Sequence, residues 1–276
     1  MFDSAQIEAI KGITQRAGQM LEEFFQDSKY RQAETKADGS PVTLADKTVS
    51  EFLIKELGQF GFPVVSEEGA WMEDLDEPYF LVDPLDGTKY FSRGEKDFAV
   101  LVGFVKEQKP VFGCIHSPTE NHLYHAIKGE GGLLNGKPIT NTGPSGSIVA
   151  FSSGFHKKPG HKTIEKVIGI EKILFRGSVL KFCDLAIGKA HFFPRFGPTS
   201  EWDTAGAQVL LEECDCSIIN IRDSQPLTYG KSDRLNRGFI AFHNSLRAKV
   251  DELIENYVRP QLGDIDERLY DNTRKS

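Results

Sequence analysis

Between Tyr79 and Pro118 the chain carries apolar, β-rich runs separated by only a few polar residues, and these read as adjacent strands. "YFLVDPLDGT" ends in carboxylates. "DFAVLVGFVKEQKPVFGCIHSP" reads as two strands joined by the polar tetrad Lys106 to Lys109. "NHLYHAIKGEGGLLNGKPI" adds more strand, and Asn135-Gly136 inside it is a strong hairpin signal. Upstream, "FPVVSEEG" is a short buried strand that delivers Glu67 and Glu68 at its end.

Helical spacing frames this sheet. Ile7, Ile10, Ala17, Met20, Leu21 and Phe24 define an amphipathic first helix, and Val49, Phe52, Leu53 and Leu57 a second that starts near Leu44. The style changes at "NTGPSGS", residues 141–147, which marks a boundary between lobes. Beyond it strands ("SIVAFSSG", "KILFRGS", "AHFFPRF", "CSIINI") alternate with helices around 160–168, from Val179 to Gly188 and from Trp202. The expectation is an α/β (α+β) layered architecture. A lobe over 1–145 carries most candidate ligands, a second lobe covers 146–245, and a helical extension covers 246–276, where Leu246, Val250, Leu253 and Val258 repeat at helical spacing.

Composition narrows the function classes. The net charge of −7 argues against a nucleic-acid coat, whose footprint would be basic, but allows a small anionic substrate if cations reverse the sign locally. Cys114, Cys183, Cys214 and Cys216 show no metal-binding spacing and read as reduced thiols of a cytoplasmic protein. No signal-peptide pattern opens the chain, and no run nears the roughly 18 apolar residues that span a bilayer. Stable membrane insertion is not expected, contact with a membrane surface stays open, and the oligomeric state is left as monomer or homodimer.

The chemistry rests on carboxylates. Glu67 ends one strand, Asp83 and Asp86 end another, Asp203 opens an Ala-rich helix in "SEWDTAGA", and Asp46 lies in "PVTLAD". Any one alone reads as a surface or capping acid. Several at strand ends and helix starts would repel unless cations neutralised them, and an all-oxygen ligand set favours Mg²⁺. In "DPLDGT", Pro84 keeps Asp83 extended, a turn brings Asp83 and Asp86 to one point, and the Leu85 carbonyl can face it. Gly87 permits close approach, the Gly87 and Thr88 amides can receive phosphate oxygens, and the Thr88 hydroxyl can orient a water. "GGLLNGKP" fails as a nucleotide loop because Pro138 replaces the metal-binding hydroxyl, and His122 and His125 face opposite sides of a strand.

"VVSEEG", "LVDPLDGTKYF" and "EWDTAGA", in this order, resemble the signatures of the inositol monophosphatase superfamily. "KADGSPVTLAD", Lys89, "GSVLKFCDLAIGKA", "FPRFGPTSEWDT" and "PLTYGKSDRLNRGF" are similar to its bacterial 3′(2′),5′-bisphosphate nucleotidase branch, and the likeness spans roughly residues 5–242. The resemblance implies an αβαβα sandwich with two or three Mg²⁺ ions. It implies hydrolysis of 3′-phosphoadenosine 5′-phosphate to AMP, extending to the related 5′-phosphosulfate, by metal-activated water, with lithium sensitivity. Position by position it implies Glu67, Asp83, the Leu85 carbonyl, Asp86 and Asp203 as metal ligands. Thr88, Glu67 and Asp46 would act on the water, and Gly87 and Thr88 would form the phosphate cradle. Ser178, Lys181 and Arg195 match positions that hold the 5′-phosphate, and His156 in "SSGFHKK" is a candidate contact for the base or sugar. Tyr90 departs from the resemblance, since close relatives often carry Glu there. An inositol or sugar monophosphatase and a nucleotide-sensing protein without activity are the competing readings.

Overall fold

The computed structural model describes residues 2–37, 39–70, 72, 75, 78–152 and 161–263. The N-terminal part comprises α1 (Ser4–Gln26), α2 (Ser28–Arg31), the hairpin β1 (Ala33–Thr35) and β2 (Pro41–Thr43), and α3 (Leu44–Gly58). The sheet that follows is built from β3 (Val64–Ser66), β4 (Tyr79–Asp86), β5 (Ala99–Lys106), β6 (Lys109–Ser117), β7 (His122–Ile127), β8 (Gly131–Leu134) and β9 (Lys137–Pro138), paired in that order. A short helix, α4 (Thr88–Ser92), interrupts it after β4. Only β3 and β4 run parallel. The expected β5–β6 hairpin pairs Lys106 with Lys109, and Asn135 and Gly136 take the positive φ values, 49° and 75°, that their turn demands.

The chain leaves this sheet after Pro138 and enters the second one at Ile148. Here β10 (Ile148–Phe151), α5 (His161–Ile168), β11 (Ile170–Leu174), α6 (Leu180–Ala186), β12 (Phe192–Ser200), α7 (Ala205–Glu212), β13 (Cys216–Asn220), β14 (Leu235–His243) and α8 (Arg247–Leu253) follow one another. The strands order as β11-β10-β12-β14-β13. The helix expected from Trp202 starts at Ala205, because the Glu201 carbonyl takes both the Thr204 and Ala205 amides and holds residues 201–204 in a turn.

Side-chain alternation sorts these elements into five layers. On β4, Phe80 and Val82 face Ile10, Leu21, Val49 and Leu53 of α1 and α3, whereas Leu81 faces Leu185, Leu210 and Leu211 of α6 and α7. On β14, Phe239 and Ala241 close that middle layer. Ile240 and Phe242 turn outward to Ile168, Val250 and Leu253 of α5 and α8. The order helix, sheet, helix, sheet, helix is the αβαβα sandwich expected from the resemblance, and residues 246–258 complete its outer layer. The four cysteines are free and buried, and among the described residues no helix is long and apolar enough to cross a membrane.

Three glycines set the spacing of the middle layer. A Cβ on Gly113 would lie 2.1 Å from the Gly206 carbonyl oxygen, one on Gly206 would lie 2.7 Å from that of Val102, and one on Gly103 2.8 Å from the Ala205 Cβ. Helix α7 therefore sits directly on the backbones of β5 and β6, and the turn before it carries Asp203 toward the end of β4. Replacing Gly113 with Ala must push helix and sheet apart. The overpacking is worth about 1–3 kcal/mol, so differential scanning calorimetry should show Tm lowered by roughly 3–10 °C.

Candidate active site

The site begins with a defect in a strand. The β4–β5 ladder shifts register between Asp83 and Asp86, where Pro84 has no N–H to contribute. The Asp83 Oδ1 accepts the Leu85 amide at 3.0 Å, which bends the chain and leaves the Leu85 carbonyl to take the Thr88 hydroxyl at 3.1 Å. Gly87 then adopts φ 101°, and a Cβ there would sit 2.4 Å from the Asp97 carbonyl oxygen. Only glycine fits both demands, and α4 starts at the next residue.

Four elements deliver acids to this bend. Glu67 follows β3, Asp83 lies in β4 and Asp203 precedes α7. One oxygen from each lies within 4.8 Å of the others. Asp46 sits in the first turn of α3, held by the amide and hydroxyl of Thr43 at 2.8 and 2.5 Å in a capping box, and it accepts the Thr88 hydroxyl at 2.9 Å. Asp86 lines the same cavity as Glu67, Asp83 and Asp203, and its Oδ2 accepts from the Ser178 hydroxyl and the Val179 amide just before α6. Ser200 donates its amide to Asp203 at 3.1 Å.

Burial of these carboxylates dominates their electrostatics. Desolvation raises Asp83 and Asp203 well above the usual carboxylate range, and the surrounding carboxylates raise both further. Burial pushes Glu67 up to about 7, against the pull of Lys36, and Asp46 up to about 6, against its hydrogen bonds to Thr43 and Thr88. Lys36, from the β1–β2 hairpin, is the cation that sequence reading overlooked. Its Nζ lies 2.8 Å from Glu67 and 2.5 Å from Glu68. Burial pulls Lys36 down, yet these two carboxylates hold it above the usual lysine range. A lysine in a polar turn gives no sign of such a role in the sequence. Every group acting strongly on Asp83 is another carboxylate, so this donor set fits hard divalent cations held by oxygen.

Across the cavity, about 390 Å³ in volume, stand the residues expected to read the remainder of a substrate. Ser178 has φ 62° and spends its hydroxyl on Asp86. Lys181 donates to the carbonyls of Arg176 and Ser178 at 3.2 and 2.9 Å, lies 5.4 Å from the Phe193 ring centroid, and burial pulls it down to about 8. Arg195 lines the same wall and donates to the Pro198 carbonyl at 3.2 Å. His156 lies outside the described residues. A larger groove, about 820 Å³, runs between α1 and α3, but none of the clustered carboxylates lines it.

A layered fold with an acidic, oxygen-only centre at the bend of a D-P-x-D-G-T segment defines a class, and comparison with known proteins agrees with it. A sequence model of the inositol monophosphatase family matches residues 3–258, and the chain belongs to that family. Its relatives include the 3′(2′),5′-bisphosphate nucleotidase CysQ of Escherichia coli K12, 30% identical over 244 residues that cover 84% of this chain and 98% of that protein. The enzyme of the same name from Aggregatibacter actinomycetemcomitans is 33% identical over 242 residues, 83% of this chain and 89% of that one. Among solved structures, CysQ from Bacteroides thetaiotaomicron is 30% identical and superposes with a TM-score of 0.75 over 88% of this chain and 98% of its own. Inositol monophosphatase-II of Staphylococcus aureus, 22% identical, shares the fold with a TM-score of 0.79 over 96% and 99% of the two chains.

The raised carboxylates give the metal-free protein a pH dependence of definite sign. Unfolded Asp and Glu ionise near pH 4, whereas Glu67 and Asp46 hold their protons to about pH 7 and 6. The folded state thus binds more protons, and stability falls as pH rises through this window. With EDTA present, Tm should be lower at pH 8 than at pH 5.5. Mg²⁺ should raise Tm more at pH 8, where protons no longer compete for the carboxylates. A stabilisation by Mg²⁺ equal at both pH values would contradict this account.

Proposed function

We propose that this chain is a Mg²⁺-dependent 3′(2′),5′-bisphosphate nucleotidase that hydrolyses 3′-phosphoadenosine 5′-phosphate to AMP and phosphate. The observation that carries the reading is the convergence of Glu67, Asp83 and Asp203 beside the Thr88–Asp46 hydrogen bond, in one cavity with Lys181 and Arg195. The shared family and the CysQ relatives support the substrate class.

In this reading Glu67, Asp83, Asp86, Asp203 and the Leu85 carbonyl hold two or three Mg²⁺ ions. When bound, such ions neutralise phosphoryl oxygens and lower the pKa of a water. The chain's own groups do the positioning. Thr88 directs its proton at Asp46 and the Leu85 carbonyl, so its oxygen remains an acceptor that fixes the direction of a water hydrogen. Glu67, in the same cavity as Thr88, is the carboxylate placed to accept a proton from that water. Gly87 and Thr88, which line the cavity at the start of α4, would offer their amides to phosphate oxygens. Lys181 and Arg195 form the wall on which the second phosphate rests, while Ser178 keeps its hydroxyl on Asp86. Burial beside Phe193 weakens the hold of Lys181 on its proton but strengthens its attraction for an anion, so a phosphate resting there would in turn keep the lysine charged.

A substrate panel tests the reading. Phosphate release from 3′-phosphoadenosine 5′-phosphate should need Mg²⁺, stop with EDTA and exceed release from inositol 1-phosphate. Equal turnover of the two would defeat the substrate assignment. Asp83→Asn and Asp203→Asn should each lower kcat by roughly 10²–10³-fold while the circular dichroism spectrum is retained. Thr88→Ser should keep most of the activity that Thr88→Ala loses.

A further inference from the structure

We propose that Tyr90 is the nucleobase platform of this site, the ring on which the base of the bisphosphate substrate stacks. The inference rests on the nucleotidase reading above and names the residue that distinguishes a nucleotide from a sugar phosphate. Among the described residues four aromatic side chains line the cavity: Tyr90, Phe182, Phe193 and Phe239. Stacking requires an open ring face. Phe182, Phe193 and Phe239 are only 4%, 2% and 1% exposed and spend their rings on one another, with centroids 5.4–5.8 Å apart. Tyr90 alone among them is partly exposed.

The orientation of Tyr90 is fixed by a missing side chain. A Cβ on Gly177 would lie 2.4 Å from Cε2 and 2.6 Å from both Cδ2 and Cζ of Tyr90. Three neighbouring ring atoms at nearly one distance mean that Gly177 meets the flat of the ring, not its edge. One face thus rests on backbone, and the half-buried residue lines the cavity. The backbone is equally fixed, since the Tyr90 amide donates to the Gly87 carbonyl at 2.8 Å in the first turn of α4. The platform stands two residues after Thr88 and shares the cavity with Lys181 and Arg195. A nucleoside bisphosphate anchored by its phosphates therefore meets one open aromatic wall, and its base has a flat, sequence-tolerant surface to cover.

The test compares the nucleotide with its abasic analogue, 1-deoxyribose 3,5-bisphosphate, in wild type and three variants with Mg²⁺ present. The readout is the ratio of kcat/KM for the nucleotide to that for the analogue. Tyr90→Ala and Tyr90→Leu should lower this ratio at least roughly fivefold, through KM for the nucleotide, and Tyr90→Phe should keep it. Leu retains bulk against Gly177 but offers no flat face, so it separates stacking from packing. A ratio unchanged in both Ala and Leu variants would overturn the proposal, whether both substrates lose activity together or neither does. A wild-type protein that hydrolyses neither bisphosphate would remove the nucleotidase reading and this inference with it.

Discussion

The site depends on how closely α7 can approach the seven-stranded sheet. Asp83 belongs to that sheet and Asp203 to the turn before the helix, so nothing local in the chain brings them together. Contact at Gly103, Gly113 and Gly206 does, by letting helix backbone rest on strand backbone with no side chain between them. Two buried acids then share one small volume with Glu67. The packing energy of the middle layer holds this arrangement against the repulsion of its own charges.

That repulsion gives the site its function. Buried carboxylates that raise one another cannot all ionise in the bare protein near neutral pH. Protons and Lys36 offset part of the charge, and divalent cations can replace the protons. The loop between β11 and α6 contributes to the same balance. Ser178 and Val179 reach across to Asp86, and Gly177 donates its amide to Asp97 at 2.7 Å. Arg176 ties this loop to Glu120 at 2.6 Å and to Asp184 at 3.1 Å. The acidic cluster, the cavity wall and this loop are one connected set of groups, so damage to the loop at 176–179 should be felt at the clustered carboxylates.

Much of this was legible in the sequence. The β5–β6 hairpin, the Asn135-Gly136 turn and helices α1 and α3 follow from periodicity and turn chemistry, and the bend at D-P-L-D-G-T follows from Pro84 and Gly87. The glycine seam did not. Gly103 and Gly113 sit in apolar runs where a strand is expected anyway, and the need for close approach exists only once α7 lies across them. Lys36 was hidden for a related reason: a hairpin lysine becomes part of the site only when β1 and β2 fold over Glu67. The role of Ser178 also changed, since its hydroxyl is engaged by Asp86, a contact between residues 92 positions apart that local spacing cannot reveal. The start of α7 moved by three residues because a backbone turn at Glu201, without a side-chain cap to mark it, precedes the helix.

The central claim is that the Glu67–Asp83–Asp203 cluster is built for divalent cations. Anomalous diffraction from crystals grown with Mn²⁺ tests it most directly. The account predicts anomalous peaks bonded to oxygens of these three residues at roughly 2.0–2.3 Å, lost in Asp203→Asn. Crystals with full Mn²⁺ in the solvent, no peak at the cluster and Lys36 as the only cation on Glu67 would contradict it.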